Sequence, residues 1–340
     1  MARFVRRLGS ALLVLIVFLT GCVAAPTAQE RQFTAMDTFM YLTAYGPQAR
    51  EALALAEEDI LFLDDLLDVT QESSQVYALN HRTASTLSLS PELTALLEQA
   101  LLLANQTGGA FDPTVYPLVQ AWGFTTDTYQ VPTQQTLQAL LPLADHTALT
   151  LTDNTLTLPE GVQLDFGGIA KGWAGDRAVQ LLRGCGVTSA IVRLGGNIHT
   201  VGTKPDGSAW RVGIEDPDTG NTLAAVSVTD RAVVTSGSYQ RFFTRDGQHY
   251  HHILDPDTGR PADNGLTSVT IVGDCGARCD ALSTALFVMG QERSADFWRA
   301  HRDFEAVFIR TDGSVAITAG LKDSFTLMDG YTARPVEVLE

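Results

Sequence analysis

The chain has 340 residues, of which 45% are hydrophobic and only 18% are charged, so it has enough apolar material for a large core and is not intrinsically disordered. Its formal net charge is -16, and no cluster of Lys and Arg follows Arg7. Because nucleic-acid binding depends on clustered basic side chains that neutralise phosphates, this composition argues against a nucleic-acid partner. A bound cation would suit so acidic a protein.

The N-terminus carries an export signal. Three arginines within the first seven residues precede an apolar run at 11–19, and Leu19-Thr20-Gly21-Cys22 resembles a bacterial lipobox. The apolar run is shorter than the ~20 residues that a membrane span needs, which disfavours a plain transmembrane anchor. We therefore expect a lipoprotein signal peptide at 1–21, a lipidated Cys22 and a linker at 22–32. The folded domain at 33–340 would be exported and tethered to the outer face of the cytoplasmic membrane.

Three further cysteines, Cys185, Cys275 and Cys279, follow. Cys275 and Cys279 could form a disulfide in an oxidising compartment, but the number is odd and the spacing lacks the second ligand pair of a zinc site. We interpret all three as small buried or half-buried residues without a catalytic role, and leave one disulfide open.

In the first half of the domain, the hydrophobic pattern predicts one strand and several amphipathic helices. The strand covers 33–45 and the segment 74–80 reads as extended or turn, whereas a hairpin is predicted at 149–158. Helices are predicted at 49–67, 91–107, 133–141 and 174–183.

The second half is richer in strands, many joined by hairpin-like turns, and this spacing predicts an α+β fold with a largely antiparallel sheet and flanking helices. The predicted strands are 190–194, 210–214, 224–228, 232–235, 240–244, 249–254, 267–272, 306–310 and 315–318.

The segment 280–290 (DALSTALFVMG) organises the candidate site. As a helix it would place Asp280, Ser283, Thr284 and Phe287 on one face. Asp280 and Thr284 stand one turn apart, so a carboxylate and a hydroxyl could converge on a hard cation such as Mg²⁺. The alternative is that Asp280 is only a helix N-cap with Ser283 nearby.

A second candidate lies at 164–173, where glycines and Lys171 lead into the predicted helix 174–183. Backbone N–H groups and one positive side chain at a helix entry can hold phosphate. The segment is neither a Walker loop nor a dinucleotide fingerprint. On its own it fits a tightly packed turn equally well.

His249, His251 and His252 lie in a predicted strand. Alternation places His249 and His251 on one face and His252 on the other, so they do not form a three-ligand metal cluster. His252 is a candidate acid/base group or phosphate donor just before the Asp255 turn, although a surface histidine is the alternative.

Several motifs, in order along the chain after the linker, resemble the ApbE family of FAD:protein FMN transferases. They are Met36-Asp37-Thr38, 74–80 (SQVYALN), 109–114 (GAFDPT), Trp122-Gly123-Phe124, 165–172 (DFGGIAKG), 194–197 (LGGN), 252–261 (HILDPDTGRP) and 280–284 (DALST). The resemblance implies a single T-fold-like catalytic domain that cleaves FAD with Mg²⁺. Such enzymes attach FMN through a phosphoester to Thr or Ser of a target protein and release AMP.

The resemblance also implies roles for individual residues. The metal ligands would be the side chains of Asp280 and Thr284 with backbone oxygens at Gly168 and Ser283, and His252 with Asp280 would be catalytic. Flavin-contacting positions would be Met36, Asn80, Ala110, Phe111, Asp112, Asp165, Lys171 and Ile253. Two positions depart from the family pattern. Asp37 stands where many members have Gly, and Gln75 stands where Glu is common.

The chemistry of pyrophosphate cleavage agrees with these roles, since it needs a cation, donors for the phosphate oxygens and an oriented hydroxyl. The acceptor expected from the resemblance is an exported or membrane flavoprotein, such as an electron-transfer flavoprotein subunit. Alternatives are a hydrolase that splits FAD into FMN and AMP, and a lipoprotein that binds FAD without turnover.

Overall fold

The structure is a computed structural model that describes residues 27–126 and 128–340. The signal peptide and the lipidated Cys22 predicted above lie outside the described residues. Within residues 27–126 and 128–340, none of the helices combines the length and the apolar character needed to cross a membrane.

A nine-stranded sheet forms the centre of the fold, and all of its strand pairs are antiparallel except the last, which is parallel. This confirms the predicted α+β class with a largely antiparallel sheet. The strands, in the order in which they lie side by side, are β1 (Ala28–Ala35), β2 (Thr38–Tyr45), β6 (Ala190–Leu194), β7 (Asn197–Val201), β10 (Ala232–Gly237), β15 (Leu266–Gly273), β16 (Phe304–Arg310), β17 (Val315–Thr318) and β19 (Val336–Leu339).

Helices cover one face of this sheet. The described residues contain α1 (Ala49–Leu67), α2 (Gln75–Asn80), α3 (Pro91–Gln106), α4 (Tyr116–Trp122), α5 (Gln134–Leu140), α6 (Ala170–Gly184), α7 (Gly276–Met289) and α8 (Gln291–His301). Of these, α7 is the central one, since it lies on β10 and β15 and also packs against α6, α3 and α8. It is buried on nearly all sides, which explains why its sequence is largely apolar; two of its polar residues, Asp280 and Thr284, line the cavity described below.

A smaller sheet covers the opposite face of the nine strands. It consists of β8 (Trp210–Glu215), β9 (Thr222–Val228) and β18 (Phe325–Leu327). Alternation along the central strands separates the two cores, because successive side chains point to opposite faces. Val234 packs with the helices, whereas its neighbour Val233 packs with Trp210 of the small sheet.

The remaining strands form three small ribbons: β3 (Thr86–Ser88), β5 (Thr155–Thr157) and β4 (Thr150–Thr152) in one, β11 (Phe242–Arg245) with β12 (Gln248–His251) in another, and β13 (Leu254–Asp255) with β14 (Arg260–Pro261) in the third. A third apolar cluster fixes the β11–β12 ribbon. In it Phe243 of the ribbon packs against Trp122 and Phe124 at the end of α4.

The structure corrects the interpretation of the first strand. The predicted strand 33–45 is a hairpin of β1 and β2 whose turn residues Met36 and Asp37 have φ of 48° and 56°. The predicted linker 22–32 was also wrong in its second half, since β1 begins at Ala28. Residues 28–32 (AQERQ) are polar after Ala28 and show no alternation, so their sequence does not distinguish a strand from a linker.

Other boundaries differ for local reasons. Residues 75–80 form α2 and not an extended segment, since the Ser74 hydroxyl accepts from the Val76 N–H (3.1 Å) and caps the helix. Gln75 accepts from the N–H (3.0 Å) and hydroxyl (2.9 Å) of Ser90, so this departure from the family pattern has a structural role at the start of α3. The predicted helix 174–183 begins four residues earlier, at Ala170.

The predicted helices 49–67, 91–107 and 133–141 correspond to α1, α3 and α5, and the hairpin at 149–158 corresponds to β4 and β5. Two strand predictions shift. The segment 240–244 becomes β11 from Phe242, and 249–254 is interrupted, because β12 ends at His251 and β13 begins at Leu254.

All three cysteines of the described domain are free thiols. Cys279 is buried, and burial raises the pKa of its thiol well above the ordinary value. The Cys275 sulfur lies 3.4 Å from Asp176 Oδ2, and burial, followed by the charge of Asp176, raises its thiol pKa as well. Neither thiol is therefore a reactive nucleophile.

Candidate active site

A cavity of about 920 Å³ opens between the helical layer and the β11–β12 ribbon. Most of the sequence-predicted site residues meet in its wall, although they come from segments far apart in the chain. The predicted residues that line it are Met36, Ala110, Phe111, Asp112, Asp165, Gly168, Lys171, His252, Ile253, Asp280 and Thr284. Asn80 and Ser283 lie behind the wall.

Asp280 is fixed at the base of the cavity by the crossing of α6 and α7. It is only 4% exposed, and its Oδ2 accepts a hydrogen bond from the Gly172 N–H (2.8 Å). A Cβ at Gly172 would lie 2.2 Å from the Gly276 carbonyl oxygen and 2.7 Å from Asp280 Cβ. Glycine at 172 therefore permits the helix contact that presents the carboxylate.

The N-cap interpretation of Asp280 is wrong, because α7 begins at Gly276 and Asp280 lies inside it. The start of α7 is instead held by Asp176 of α6. Its two carboxylate oxygens accept from the N–H groups of Gly276 (2.7 Å) and Ala277 (2.9 Å). Asp280 therefore does not cap its own helix, and its carboxylate instead accepts from an N–H in the first turn of α6.

Hydroxyl groups and a glycine lie next to Asp280 at the base of the cavity. The Ser236 hydroxyl of β10 lies 3.3 Å from Thr284 Oγ1 and 2.7 Å from Ser283 Oγ. A Cβ at Gly168 would stand 3.6 Å from Thr284 Oγ1 and 3.2 Å from Phe111. The backbone of Gly168 thus approaches Thr284 closely.

These groups fit Mg²⁺, since the donors are all oxygens: one carboxylate, hydroxyls and backbone carbonyls. Among the described residues no group of three or more His, Cys, Asp or Glu is arranged to hold a metal ion. A cation here would accordingly be held by few charged side chains of the described residues, and Asp280 would be one of them. Water molecules and substrate phosphates would supply the other ligands, as Mg²⁺ commonly prefers.

The glycine turn before α6 forms the adjoining wall. Asp165 accepts from the Gly167 N–H through Oδ1 (2.6 Å), and its own N–H donates to the Pro113 carbonyl (2.8 Å). Burial raises the pKa of the Asp165 carboxyl, and the Gly167 N–H and the charges of Arg241 and Lys171 offset part of this rise. Lys171 Nζ donates to the Gly167 carbonyl (3.3 Å), so its ammonium lies beside the turn.

Two predicted flavin-contacting residues have structural partners. Asn80 donates to the Leu164 carbonyl (2.8 Å) and accepts from the Leu164 N–H (2.7 Å), which fixes the strand-like entry to Asp165. The Asp112 carboxylate accepts from Thr114 and from the His146 N–H (3.1 Å), and it raises the pKa of His146 through a 2.7 Å bond to Nδ1. Asp112 reaches the cavity, but both of its oxygens hold the 110–114 loop.

His252 lies just beyond β12, and not within a strand as predicted. Its N–H and its Nδ1 each lie 3.1 Å from the Arg241 carbonyl oxygen. A carbonyl can only accept, so Nδ1 carries the proton and Nε2 keeps its lone pair. Burial, with smaller contributions from the charges of Arg241, His251 and Lys171, lowers the pKa of His252 to about 4, although the hydrogen bond to the Arg241 carbonyl opposes the shift. The imidazole is therefore neutral at physiological pH.

His251 and His252 are separated as predicted. His251 is buried, lies 3.0 Å from the Ala262 carbonyl through Nε2 and packs edge-on against Phe287, with ring centroids 5.5 Å apart. His252 alone of the two lines the cavity. His249 stacks on the half-exposed Phe242 outside it.

Sequence reasoning missed many residues of the wall, and three of them form contacts that shape the site. Asp64 of α1 accepts from the Met36 N–H (2.8 Å) and holds the β1–β2 turn over the cavity. Burial raises the Asp64 pKa. Ser236 joins α7 to β10, and Arg241 enters from the ribbon. Of these three residues, only Arg241 could have been suggested by the sequence, because it is a cationic residue one predicted strand before His252.

A family model described as the ApbE family matches residues 36–308, which is most of the chain. The chain belongs to the ApbE family. Among curated proteins, this ApbE-family chain is 39% identical over 303 residues to the FAD:protein FMN transferase of Treponema pallidum, covering 83% of this chain and 84% of the relative. It is 32% identical over 275 residues to that of Klebsiella pneumoniae, covering 79% and 85%.

Solved structures agree. The ApbE protein of Thermotoga maritima superposes with a TM-score of 0.80 at 31% identity, covering 85% of this chain and 96% of that one. The flavinyl transferase ApbE of Pseudomonas stutzeri, in its apo form, gives a TM-score of 0.77 at 29% identity, with 89% and 95% coverage. These matches confirm the family and the mixed helix-and-sheet fold expected from the sequence motifs.

Proposed function

We propose that this protein is a Mg²⁺-dependent FAD:protein FMN transferase that attaches FMN through a phosphoester to a Thr or Ser of an exported or membrane flavoprotein and releases AMP. The curated relatives are FAD:protein FMN transferases by name, in agreement with the function expected from the motifs. One observation carries the proposal for this chain. The Asp280 carboxylate, the Thr284 hydroxyl and a neutral His252 converge on one cavity with Lys171.

Each group has a task in pyrophosphate cleavage. Bound Mg²⁺ would neutralise phosphate charge, and Asp280, Thr284 and the Gly168 backbone would hold it. Lys171 and the Gly167–Gly168 turn would bind phosphate oxygens beside the start of α6. His252 Nε2, which keeps its lone pair, would accept the proton of the attacking hydroxyl. The part of the wall that contains Phe111 and Ile253 is apolar, so it is suited to hold an aromatic ring system.

The transfer balances without a further reactant. The acceptor hydroxyl oxygen forms a bond to the phosphorus on the flavin side, and the bond from that phosphorus to the bridging oxygen breaks. AMP leaves with the bridging oxygen and the electron pair, while the hydroxyl proton passes to His252. With water in place of the acceptor, the same groups would give FMN and AMP.

The test is incubation with FAD, Mg²⁺ and a threonine-bearing flavoprotein acceptor, followed by measurement of AMP and of flavin fluorescence on the denatured acceptor band. We expect both, and both should disappear with EDTA or with a Thr→Val acceptor. AMP with only free FMN would assign a hydrolase. Bound FAD without AMP would assign a binding protein, and either result would contradict the transferase.

We further propose that the mature protein begins at a lipidated Cys22 and faces outward from the cytoplasmic membrane. The support is the lipobox Leu19-Thr20-Gly21-Cys22. Cys22→Ser should leave an uncleaved precursor without lipid, which labelling with a fatty-acid analogue and gel migration would detect. Cys185→Ser, in the folded domain, is the control and should be lipidated normally. A lipidated Cys22→Ser protein of mature size would refute the assignment.

A further inference from the structure

The charge of the cavity poses a problem for its proposed substrate. Seven carboxylate side chains line it, against only two cationic ones among the described residues, Lys171 and Arg241. The carboxylates are Asp37, Asp64, Asp68, Asp112, Asp165, Glu215 and Asp280. The pyrophosphate of FAD carries two negative charges, so every cation in the wall should matter for its binding.

The two cations stand on different walls. Lys171 lies at the start of α6, beside the glycine turn. Arg241 enters from the other side, immediately before β11, and its backbone carbonyl accepts the bonds from His252. Asp165 lies within the electrostatic range of both. A diphosphate placed between Lys171 and Arg241 would therefore lie beside His252.

The present partners of Arg241 are weak enough to be exchanged. One guanidinium nitrogen donates to the Phe124 carbonyl (3.3 Å), and another lies 3.4 Å from Asp37 Oδ2 on the β1–β2 turn. The Asp37 side chain is 85% exposed and that of Arg241 42% exposed, so water screens the pair. A phosphate offers the guanidinium stronger, bidentate contacts than this exposed carboxylate.

The geometry points to Arg241 as a second phosphate-binding residue of this site, held at the cavity mouth by Asp37 until the pyrophosphate of FAD takes the place of that carboxylate. The inference rests on the proposed function. It gives a role to Asp37, the departure from the family pattern noted in the sequence, whose left-handed φ of 56° directs the turn toward the mouth.

The experiment compares Arg241→Gln, Arg241→Lys and wild type for the affinity of FAD and of riboflavin, which has the flavin ring but no phosphate. We expect Arg241→Gln to weaken FAD binding and to raise its KM by about tenfold or more, the range for a lost charge-assisted bond. Riboflavin affinity should stay within about twofold of wild type, because no phosphate contact is lost. Arg241→Lys should be intermediate, since it keeps the charge.

Two controls make the outcome specific. Arg183→Gln removes a guanidinium of similar exposure (50%) that pairs with Asp230 outside the cavity, and it should leave FAD affinity unchanged. Asp37→Asn should shift FAD affinity by less than about fivefold, because an exposed pair contributes little.

An unchanged KM in Arg241→Gln would refute the inference, as would equal losses of FAD and riboflavin, which would indicate a structural role. So would an Asp37→Asn variant as impaired as Arg241→Gln. These results are separable from failure of the proposed function, which wild-type protein would show by releasing no AMP.

Discussion

Asp280 is the residue on which the proposed cation site depends most, since its carboxylate stands one helical turn before Thr284 and lines the same cavity. We predict that Asp280→Asn abolishes AMP release even at high Mg²⁺. The amide can keep a contact with the Gly172 N–H, so the fold should survive. Steady-state AMP release across a Mg²⁺ titration, with the melting temperature measured alongside, tests this. Asp303→Asn, an exposed acid paired with Arg278, is the control. Normal turnover at raised Mg²⁺ would show that Asp280 is not essential for the cation.

His252 and His251 offer a matched pair of adjacent histidines with different environments. His252→Ala should slow FMN transfer by about 10²-fold or more, because a hydroxyl would lose its proton acceptor. FAD affinity should change far less. His251→Ala should stay active but lose stability, since it removes a buried ring packed on Phe287. Transfer rate, FAD affinity and urea midpoint for both variants decide the matter. A normal transfer rate in His252→Ala would show that another group accepts the proton.

At the scale of elements, the crossing of α6 and α7 sets the position of Asp280. Gly172→Ala would place a methyl group 2.2 Å from the Gly276 carbonyl oxygen, so the helices must separate. We expect a loss of about 1–3 kcal/mol in unfolding free energy, as for other overpacked contacts, together with loss of Mg²⁺-dependent turnover. Denaturant unfolding and AMP release would measure the two effects.

Gly184→Ala is the control in the same helix. Apart from its chain neighbours and the backbone of its own helix, no atom lies within 4 Å of a Cβ at that position, so the change should be neutral or stabilise by up to about 1 kcal/mol. If Gly172→Ala behaved like Gly184→Ala, the close approach of the two helices would not be what positions the carboxylate.

At the scale of the whole molecule, buried histidines should make stability depend on pH. Burial lowers the pKa of His252 from 6.5 to about 4, and it lowers that of His251 and His199 in the same direction. Between pH 6.5 and pH 4 the unfolded chain binds protons at these histidines that the folded chain does not bind. The free energy of unfolding is therefore highest above pH 6.5 with respect to these groups, and it falls as the pH drops toward 4.

Urea unfolding of the metal-free protein should therefore show lower stability at pH 5 than at pH 7. The contribution of His252 to this difference is up to about 2 kcal/mol, for a pKa displaced from 6.5 to about 4. His252→Gln should reduce the difference, whereas His249→Gln, on the outside of the ribbon, should not. A His252→Gln protein with the full pH dependence would contradict the assignment.

Much of this protein follows from sequence alone, where the signal is local. The repeat of apolar residues at three and four places fixes α1 from Ala49 to Leu67, and Ser90 with Pro91 starts α3. The alternating strands predict the antiparallel sheet. The ordered motifs predict the family. They also predict most of the site residues that line the cavity, because each motif is recognised by a short run of specific residue types.

Tertiary structure decided what depends on contacts between distant segments. Residues 28–32 form a strand because they pair with β2. Asp280 is not the N-cap of α7, because the helix starts at Gly276 and Asp176 of α6 accepts from the N–H groups at that start. Asn80 could be assigned to the flavin by motif, yet its amide holds Leu164, 84 residues away. Arg241 lines the cavity at the start of the β11–β12 ribbon, and this ribbon is held in place by packing against Trp122 of α4. Such contacts join groups with no fixed spacing in the chain, so no periodicity or local motif records them.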